Sequence, residues 1–286
     1  MKSVKVKLVA IFILMLSANQ VSAQNDTLVL RDIEWNKESR ASMTELFIPS
    51  ANSLIAGFIY KANGPQKHPT LLLLHGFPGN ERNLDLAQVA RARGWNVIFF
   101  DYRGSWGSQG QFAFKNCVED VANVVAYCKK YRDSLQIDTS NIALFGHSMG
   151  GWVCLKALQT IPGIKKGFAL STWNIYGDVK NIQSEAQLEV VIKQMGVEYF
   201  VLNTHPKEIF MPVLREPDFY KLETAAGDLA NKQIIMLDEH EGNKALANTF
   251  KNTNKVYFDY QVWQTDHGFT NKRVALIKKV LEFLAR

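Results

Sequence analysis

Asn141-Ile142-Ala143-Leu144-Phe145-Gly146-His147-Ser148-Met149-Gly150-Gly151-Trp152-Val153-Cys154-Leu155 is the stretch on which the fold turns. Ile142 to Phe145 is a short apolar run without alternation, as in a strand buried on both faces. Met149 to Thr160 carries apolar residues at helical spacing. A strand therefore runs through a tight turn straight into a helix, and the turn spells G-x-S-x-G. The bare pattern is common, but this context gives it a mechanism. A sharp turn lifts the serine Oγ to the edge of a sheet, and glycines two positions either side remove clashing side chains. The helix N-terminus then faces any negative charge that develops there.

The same grammar extends outward in both directions. Thr70–Leu74, Val97–Phe100, Gly167–Leu170, Ile234–Leu237 and Val256–Val262 are further apolar runs. Asn83–Arg93, Asn116–Tyr131 and Val274–Leu284 have helical spacing between or after them. Apolar strands alternating with helices predict an α/β fold whose mostly parallel sheet, of about eight strands, has helices on both faces. Thr27–Trp35, Ser42–Ile48 and Leu54–Lys61 read instead as antiparallel strands that enter by hairpins. Residues 173–231 break the alternation. They hold two expected helices, Ser184–Met195 and Phe219–Ala226, with Pro206, Pro212 and Pro217 between them. An insertion at the C-terminal edge of a sheet sits over the ligand crevice, so a helical cap is expected there rather than a separate domain.

Composition narrows the function classes. The 286 residues carry 33 Lys+Arg against 27 Asp+Glu, a net charge of +6. Three of those lysines, Lys2, Lys5 and Lys7, precede the nine-residue apolar run Leu8–Leu16, and Val21-Ser22-Ala23 follows. This is the layout of a signal peptide cleaved before Gln24. Nine apolar residues fall short of the roughly 20 that a spanning helix needs. The expectation is a secreted or periplasmic protein, residues 24–286, with no stable membrane anchor after cleavage. Removal of residues 1–23 halves the net charge to +3. The remaining cations are scattered, which gives no support to nucleic acid as a partner. Cys117, Cys128 and Cys154 lie on expected helices, the first two too far apart along one helix to bridge, and fit buried small hydrophobes.

Four motifs in order now make the chain resemble the α/β-hydrolase family, over about Thr70 to Arg286. The first is His75-Gly76-Phe77-Pro78-Gly79 after one strand. The second is Asp101-Tyr102-Arg103-Gly104-Ser105-Trp106-Gly107-Ser108 after the next, with one residue inserted at Trp106. The third is the turn at Ser148. The fourth is Asp266-His267-Gly268-Phe269 after the last strand. The resemblance implies Ser148 as nucleophile, His267 as its base, and the Phe77 and Met149 N–H groups as the oxyanion hole. His267 also has the right place in the order Ser…acid…His, whereas His75 and His147 sit inside turns and His68, His205 and His240 lie elsewhere.

A serine hydroxyl needs a base, and the base needs a carboxylate to fix its tautomer. After Ile234–Leu237 comes Asp238-Glu239-His240-Glu241. Laid on the family's G-E-x-D, this puts Glu241 at the acid position. Asp238 at the strand end is the alternative, with Glu239 ranked behind both. The four residues also resemble a metal cluster, but no second ligand group such as H-E-x-x-H accompanies them, so neither metal nor cofactor is expected. The resemblance therefore implies a serine hydrolase that cleaves a small-molecule ester through an acyl-enzyme. Two alternatives stand beside it. One is a small aminopeptidase or acyl-peptide hydrolase, since the Gly107–Phe112 loop also resembles prolyl-oligopeptidase-like members. It would need an acidic group in the cap for a short peptide's amine, for which Glu185, Glu189, Glu198 and Glu208 are candidates. The other is a non-catalytic binding protein on the same scaffold. An aromatic set, Phe77, Trp106, Phe112, Trp152, Trp173 and Tyr176, falls near the strand ends as pocket or core.

Overall fold

The computed structural model describes residues 34–197 and 199–286. The expected signal peptide, nearly all of the strand expected over Thr27–Trp35, and Glu198 lie outside these residues. Glu34–Arg286 form one compact unit.

Eight strands make one sheet: β1 (Ser42–Ser50), β2 (Ser53–Lys61), β3 (His68–Leu74), β4 (Asn96–Phe100), β5 (Ile137–His147), β6 (Lys166–Leu170), β7 (Gln233–Asp238) and β8 (Tyr257–Val262). Their spatial order is β1-β2-β4-β3-β5-β6-β7-β8. The strands from β3 onward pair in parallel, while β2 runs antiparallel to both β1 and β4. The mostly parallel sheet inferred from unalternating apolar runs is thus observed. Every residue of β4 is buried, which is what a strand covered on both faces requires.

Nine α-helices occur among the described residues: α1 (Leu84–Ala92), α2 (Phe114–Lys130), α3 (Met149–Thr160), α4 (Ile175–Val179), α5 (Glu185–Gln194), α6 (Pro206–Arg215), α7 (Pro217–Tyr220), α8 (Lys244–Thr253) and α9 (Arg273–Leu284). Helix α2 packs on α3, and α1 on α9. Helix α2 buries Cys117, Val118, Val121, Val124, Val125 and Cys128, one stripe at three- and four-residue spacing. All three cysteines are buried thiols. Arg103 anchors the loop after β4: its Nε donates to the buried Asp120 at 2.6 Å and its backbone N–H to the other carboxylate oxygen at 2.8 Å.

The insertion between β6 and β7 carries α4 to α7. Helix α5 matches the expected Ser184–Met195. The expected helix at Phe219–Ala226 is instead the short α7 followed by a 3-10 turn, Glu223–Ala225. Helix α6 was hidden by its prolines, which suggest breaks. Pro206 and Pro217 stand at the first turns of α6 and α7, where the missing N–H costs nothing, and only Pro212 lies inside a helix.

Candidate active site

The turn after β5 has the geometry that the sequence demands. Ser148 adopts φ 59°, ψ −118°, a strained conformation for a side-chain-bearing residue. Its N–H donates to Leu170 at 2.8 Å, and its carbonyl accepts from Gly151 and Trp173. The flanking glycines are obligatory because backbones touch: a Cβ at Gly146 would lie 1.9 Å from the Gly150 oxygen, and one at Gly150 2.0 Å from that of Leu74. Ser148 is half-buried and lines a cavity of about 620 Å³. Phe77, Thr172, Trp173, Asn243 and His267 share that wall.

His267 lies in the loop after β8, and its Nδ1 stands 2.7 Å from a carboxylate oxygen of Glu239. A carboxylate only accepts, so Nδ1 carries the hydrogen and Nε2 keeps a lone pair, free to take a proton. Ser171, which follows β6, donates its hydroxyl to the other Glu239 oxygen at 2.7 Å. Burial works against a charge on Glu239, yet the hydrogen bonds from His267 and Ser171 outweigh it and hold the carboxyl down to about 2. The hydrogen bond that His267 donates to Glu239 in turn raises His267 above its ordinary value.

The structure thus joins His267 to Glu239, and neither Glu241 nor Asp238 is its partner. Glu241 points into solvent and pairs with Lys244 at 3.0 Å. Asp238, the last residue of β7, is fully buried. It accepts from the Thr172 N–H at 3.1 Å and from Asn243 at 3.0 Å, and burial pushes it up to about 6. Strand pleating explains the exchange, because consecutive side chains at the end of β7 face opposite ways. With Asp238 buried, Glu239 is the residue left to meet Ser171 and His267. That alternation was available in the sequence, and laying the segment on a family pattern concealed it. Ser171 carried no motif of its own; its signal was its place after β6, on the same sheet edge. His240 accepts from the Gly242 N–H at 3.0 Å, and its Nε2 stands 3.9 Å from a Glu239 oxygen, while Glu241 turns away to Lys244.

The remaining histidines are engaged in backbone work. His68 bonds the Gly94 and Gly64 carbonyls, and His205 accepts from the Lys207 N–H at the start of α6. His75 donates from Nδ1 to the Gly76 carbonyl at 2.8 Å and burial lowers it to about 4. Gly76 lies against Ser148, for a Cβ there would stand 3.6 Å from Ser148 Oγ. The next residue, Phe77, puts its ring into the cavity wall amid Phe112, Phe114, Trp173, Tyr199 and Phe210, with centroids 5.7–6.3 Å away. Met149 is the first residue of α3, where a backbone N–H has no intrahelical acceptor. Trp106, the inserted residue, donates to the Pro78 carbonyl at 2.7 Å, while its own N–H reaches Val201 of the insertion. Trp152 is core: fully buried, stacked on Tyr220 at 5.6 Å. Of the acidic residues expected to meet an amine, Glu185 and Glu189 pair with Lys207, and neither they nor Glu208 line the cavity.

A strained serine at the helix start, a histidine with a free Nε2 in the same cavity, and a carboxylate behind it can together generate a nucleophile at neutral pH. Known proteins agree with the architecture. The Pyrococcus furiosus esterase Pf2001 superposes with a TM-score of 0.63 at 19% identity, over 90% of this chain and 98% of that one. An uncharacterized 31.7 kDa Escherichia coli protein from the traX–finO intergenic region is 38% identical over 94 residues, 31% of this chain and 32% of its own. A probable dipeptidyl-aminopeptidase B of Emericella nidulans is 28% identical over 182 residues, 54% of this chain and 20% of its own. The alignments thus span less than a third of these curated relatives. The model of the family Hydrolase_4, described as serine aminopeptidase, S33, matches residues 65–226, from just before β3 to the end of the β6–β7 insertion. With more than half of the chain inside that match, and the sheet order to go with it, the protein belongs to this family of α/β-hydrolases.

Proposed function

We propose that the protein is a serine hydrolase that cleaves a carboxylic ester, or a related acyl bond, through an acyl-enzyme on Ser148. The observation that carries this reading is the 2.7 Å hydrogen bond from His267 Nδ1 to Glu239, made by a histidine that shares its cavity with the strained Ser148. In the proposed reaction His267 Nε2 removes the Ser148 proton as Oγ attacks the carbonyl carbon. The Phe77 and Met149 N–H groups hold the oxyanion of the tetrahedral intermediate. The imidazolium, stabilised by Glu239, then protonates the leaving group. Water, deprotonated by the same histidine, releases the acid and restores Ser148. A fluorophosphonate probe tests this directly. Labelling of the wild type, abolished in Ser148→Ala together with p-nitrophenyl ester hydrolysis, is expected. Full esterase activity in Ser148→Ala would sink the proposal, and a wild type inert to the probe and to esters would favour a non-catalytic binding role.

A second reading, an aminopeptidase on short peptides, is favoured by the family match. It needs a carboxylate near the site for the substrate amine. Among the described residues, Asp178 is the acidic one in the cavity wall, and it accepts from the Trp173 indole at 2.7 Å. Comparing alanyl and N-acetylalanyl p-nitroanilides separates the two readings, since an aminopeptidase cleaves the free amine alone. The proposal extends to location: residues 1–23 direct export, and the mature exported protein begins at Gln24, as N-terminal sequencing would show.

A further inference from the structure

His147 stands one residue before the nucleophile, and the chemistry above makes no use of it. Its side chain is buried, and its Nε2 lies 2.8 Å from the main-chain carbonyl oxygen of His267. A carbonyl only accepts, so Nε2 carries the hydrogen and donates it. The two imidazoles lie with centroids 4.9 Å apart and planes at 35°. Burial holds His147 neutral, down to about 4. Among its charged neighbours the His267 and Arg273 cations act the same way, and Glu239 opposes them. The donor is therefore in place across the working pH range.

The two ends of this bond differ in stiffness. The end of β5 is bonded to β3 on one side and β6 on the other. The loop that carries His267 follows β8, the edge strand, and the His267 side chain is 57% exposed. That loop has further ties: the Thr270 N–H and hydroxyl donate to the Asp266 carboxylate at 2.8 and 2.5 Å, the Phe269 N–H to the Asp266 carbonyl at 3.0 Å, the Thr265 hydroxyl to Asn271 at 2.6 Å, the Trp263 N–H to the Asp238 carbonyl at 2.9 Å, and Arg273 to the Gly268 carbonyl at 3.2 Å. None of these connects the His267 main chain to the strand that bears Ser148. The His147 bond makes that connection.

We propose that His147 is a positioning residue, whose Nε2–H fixes the His267 main chain so that its imidazole meets Glu239 and Ser148 together. The inference rests on His267 acting as the base. Misplacement of a catalytic group by about 1 Å costs about 10²-fold in rate, which sets the size of the effect.

Two polar replacements test it in the full chain. His147→Gln places an amide N–H at the reach of Nε2, whereas His147→Asn stops one bond short. The readouts are kcat and KM for p-nitrophenyl butyrate across pH, and hydrogen exchange of the 266–270 amides. The Gln variant is expected within about threefold of wild-type kcat. The Asn variant is expected to lose about 10- to 100-fold in kcat with KM within about twofold, and to exchange faster at 266–270. Its acid limb moves to lower pH, because a His267 drifting from Glu239 loses what raises it. A purely packing role would lower the melting temperature of both without moving that limb. Wild-type kcat in the Asn variant, or an equal fall in both, overturns the inference; His147→Ser replaces the Asn variant should that one not fold. A wild type that labels at Ser148 while all variants behave alike refutes the inference alone. A wild type that neither labels nor turns over removes the base reading and the inference with it.

Discussion

Replacing Glu239 by glutamine removes one charge and almost no volume. In the wild type one carboxylate oxygen meets His267 Nδ1 at 2.7 Å and the other meets the Ser171 hydroxyl at 2.7 Å. Hydrogen bonds to a charged partner contribute about 1.5–3 kcal/mol each. In the proposed reaction the His267 bond is worth most when the imidazole becomes cationic, so its loss falls on kcat rather than KM. At about 1.4 kcal/mol per decade, the charge alone accounts for about 10- to 100-fold. A glutamine that turns its NH2 toward Nδ1 selects the wrong tautomer, with hydrogen on Nε2, and this extends the loss toward about 10⁴-fold. The assay is p-nitrophenyl butyrate hydrolysis between pH 5 and 9, with melting curves to confirm folding. The sign of the pH effect is fixed as well. Glu239 raises His267, so in Glu239→Gln the acid limb of kcat/KM moves to lower pH. Glu241→Gln is the control, because an exposed pair with Lys244 contributes only about 0.2–1 kcal/mol and touches no reacting group. Wild-type kcat in Glu239→Gln, or a hundredfold fall in Glu241→Gln, would refute the assignment.

Three further outcomes are expected. Asp238 sits near 6 when folded and at its ordinary 3.8 when unfolded, so it favours folding below pH 3.8 and loses that preference as the pH rises to 6. The loss is at most about 3 kcal/mol. Asp238→Asn is free of it, so its melting temperature should gain on the wild type between pH 4 and 7; a constant difference contradicts this. Gly150→Ala forces a Cβ to within 2.0 Å of a backbone oxygen, and should cost more than about 3 kcal/mol by thermal melting, whereas Gly268→Ala meets nothing nearer than 3.6 Å and should fold normally. Glu189→Gln, whose carboxylate is taken by Lys207, should leave the ratio of aminoacyl to acyl turnover unchanged; a shift of more than about threefold would show that this exposed pair reaches the substrate.

Much of this was legible in the sequence because buried parallel strands leave a local mark. Ile142–Phe145, Val97–Phe100 and Ile234–Leu237 are apolar on both faces, as strands covered by helices on either side require. The strand–turn–helix at Ser148 is equally local, since its glycines answer contacts that neighbouring backbone imposes. What stayed hidden depends on direction or on distant partners. Glu239 and Asp238 are neighbouring carboxylates told apart only by their partners, His267 and Ser171 for the first, Thr172 and Asn243 for the second. Ser171 and His147 act through residues 68 and 120 positions away, which no local pattern encodes. Helices α6 and α7 were obscured because proline's cost depends on position: Pro206 and Pro217 occupy their tolerant first turns, and Pro212 alone of the three lies inside a helix.

Ser148 follows β5, Glu239 follows β7, and β6 lies between them, bonded to both. Strands sit about 4.8 Å apart, so the hydrogen-bond ladder works as a gauge that holds the two sites roughly 10 Å apart, a gap that one imidazole and its two hydrogen bonds can span. The insertion departs from β6 and returns at β7, whose pairing runs from Lys166↔Gln233 to Leu170↔Leu237. Lengthening or reshaping the insertion therefore leaves the gauge as it was. Mutation can exchange the wall formed by Trp173, Asp178, Met195 and Val197 without resetting Ser148, so under the proposed function substrate choice is free to drift while the reaction stays fixed.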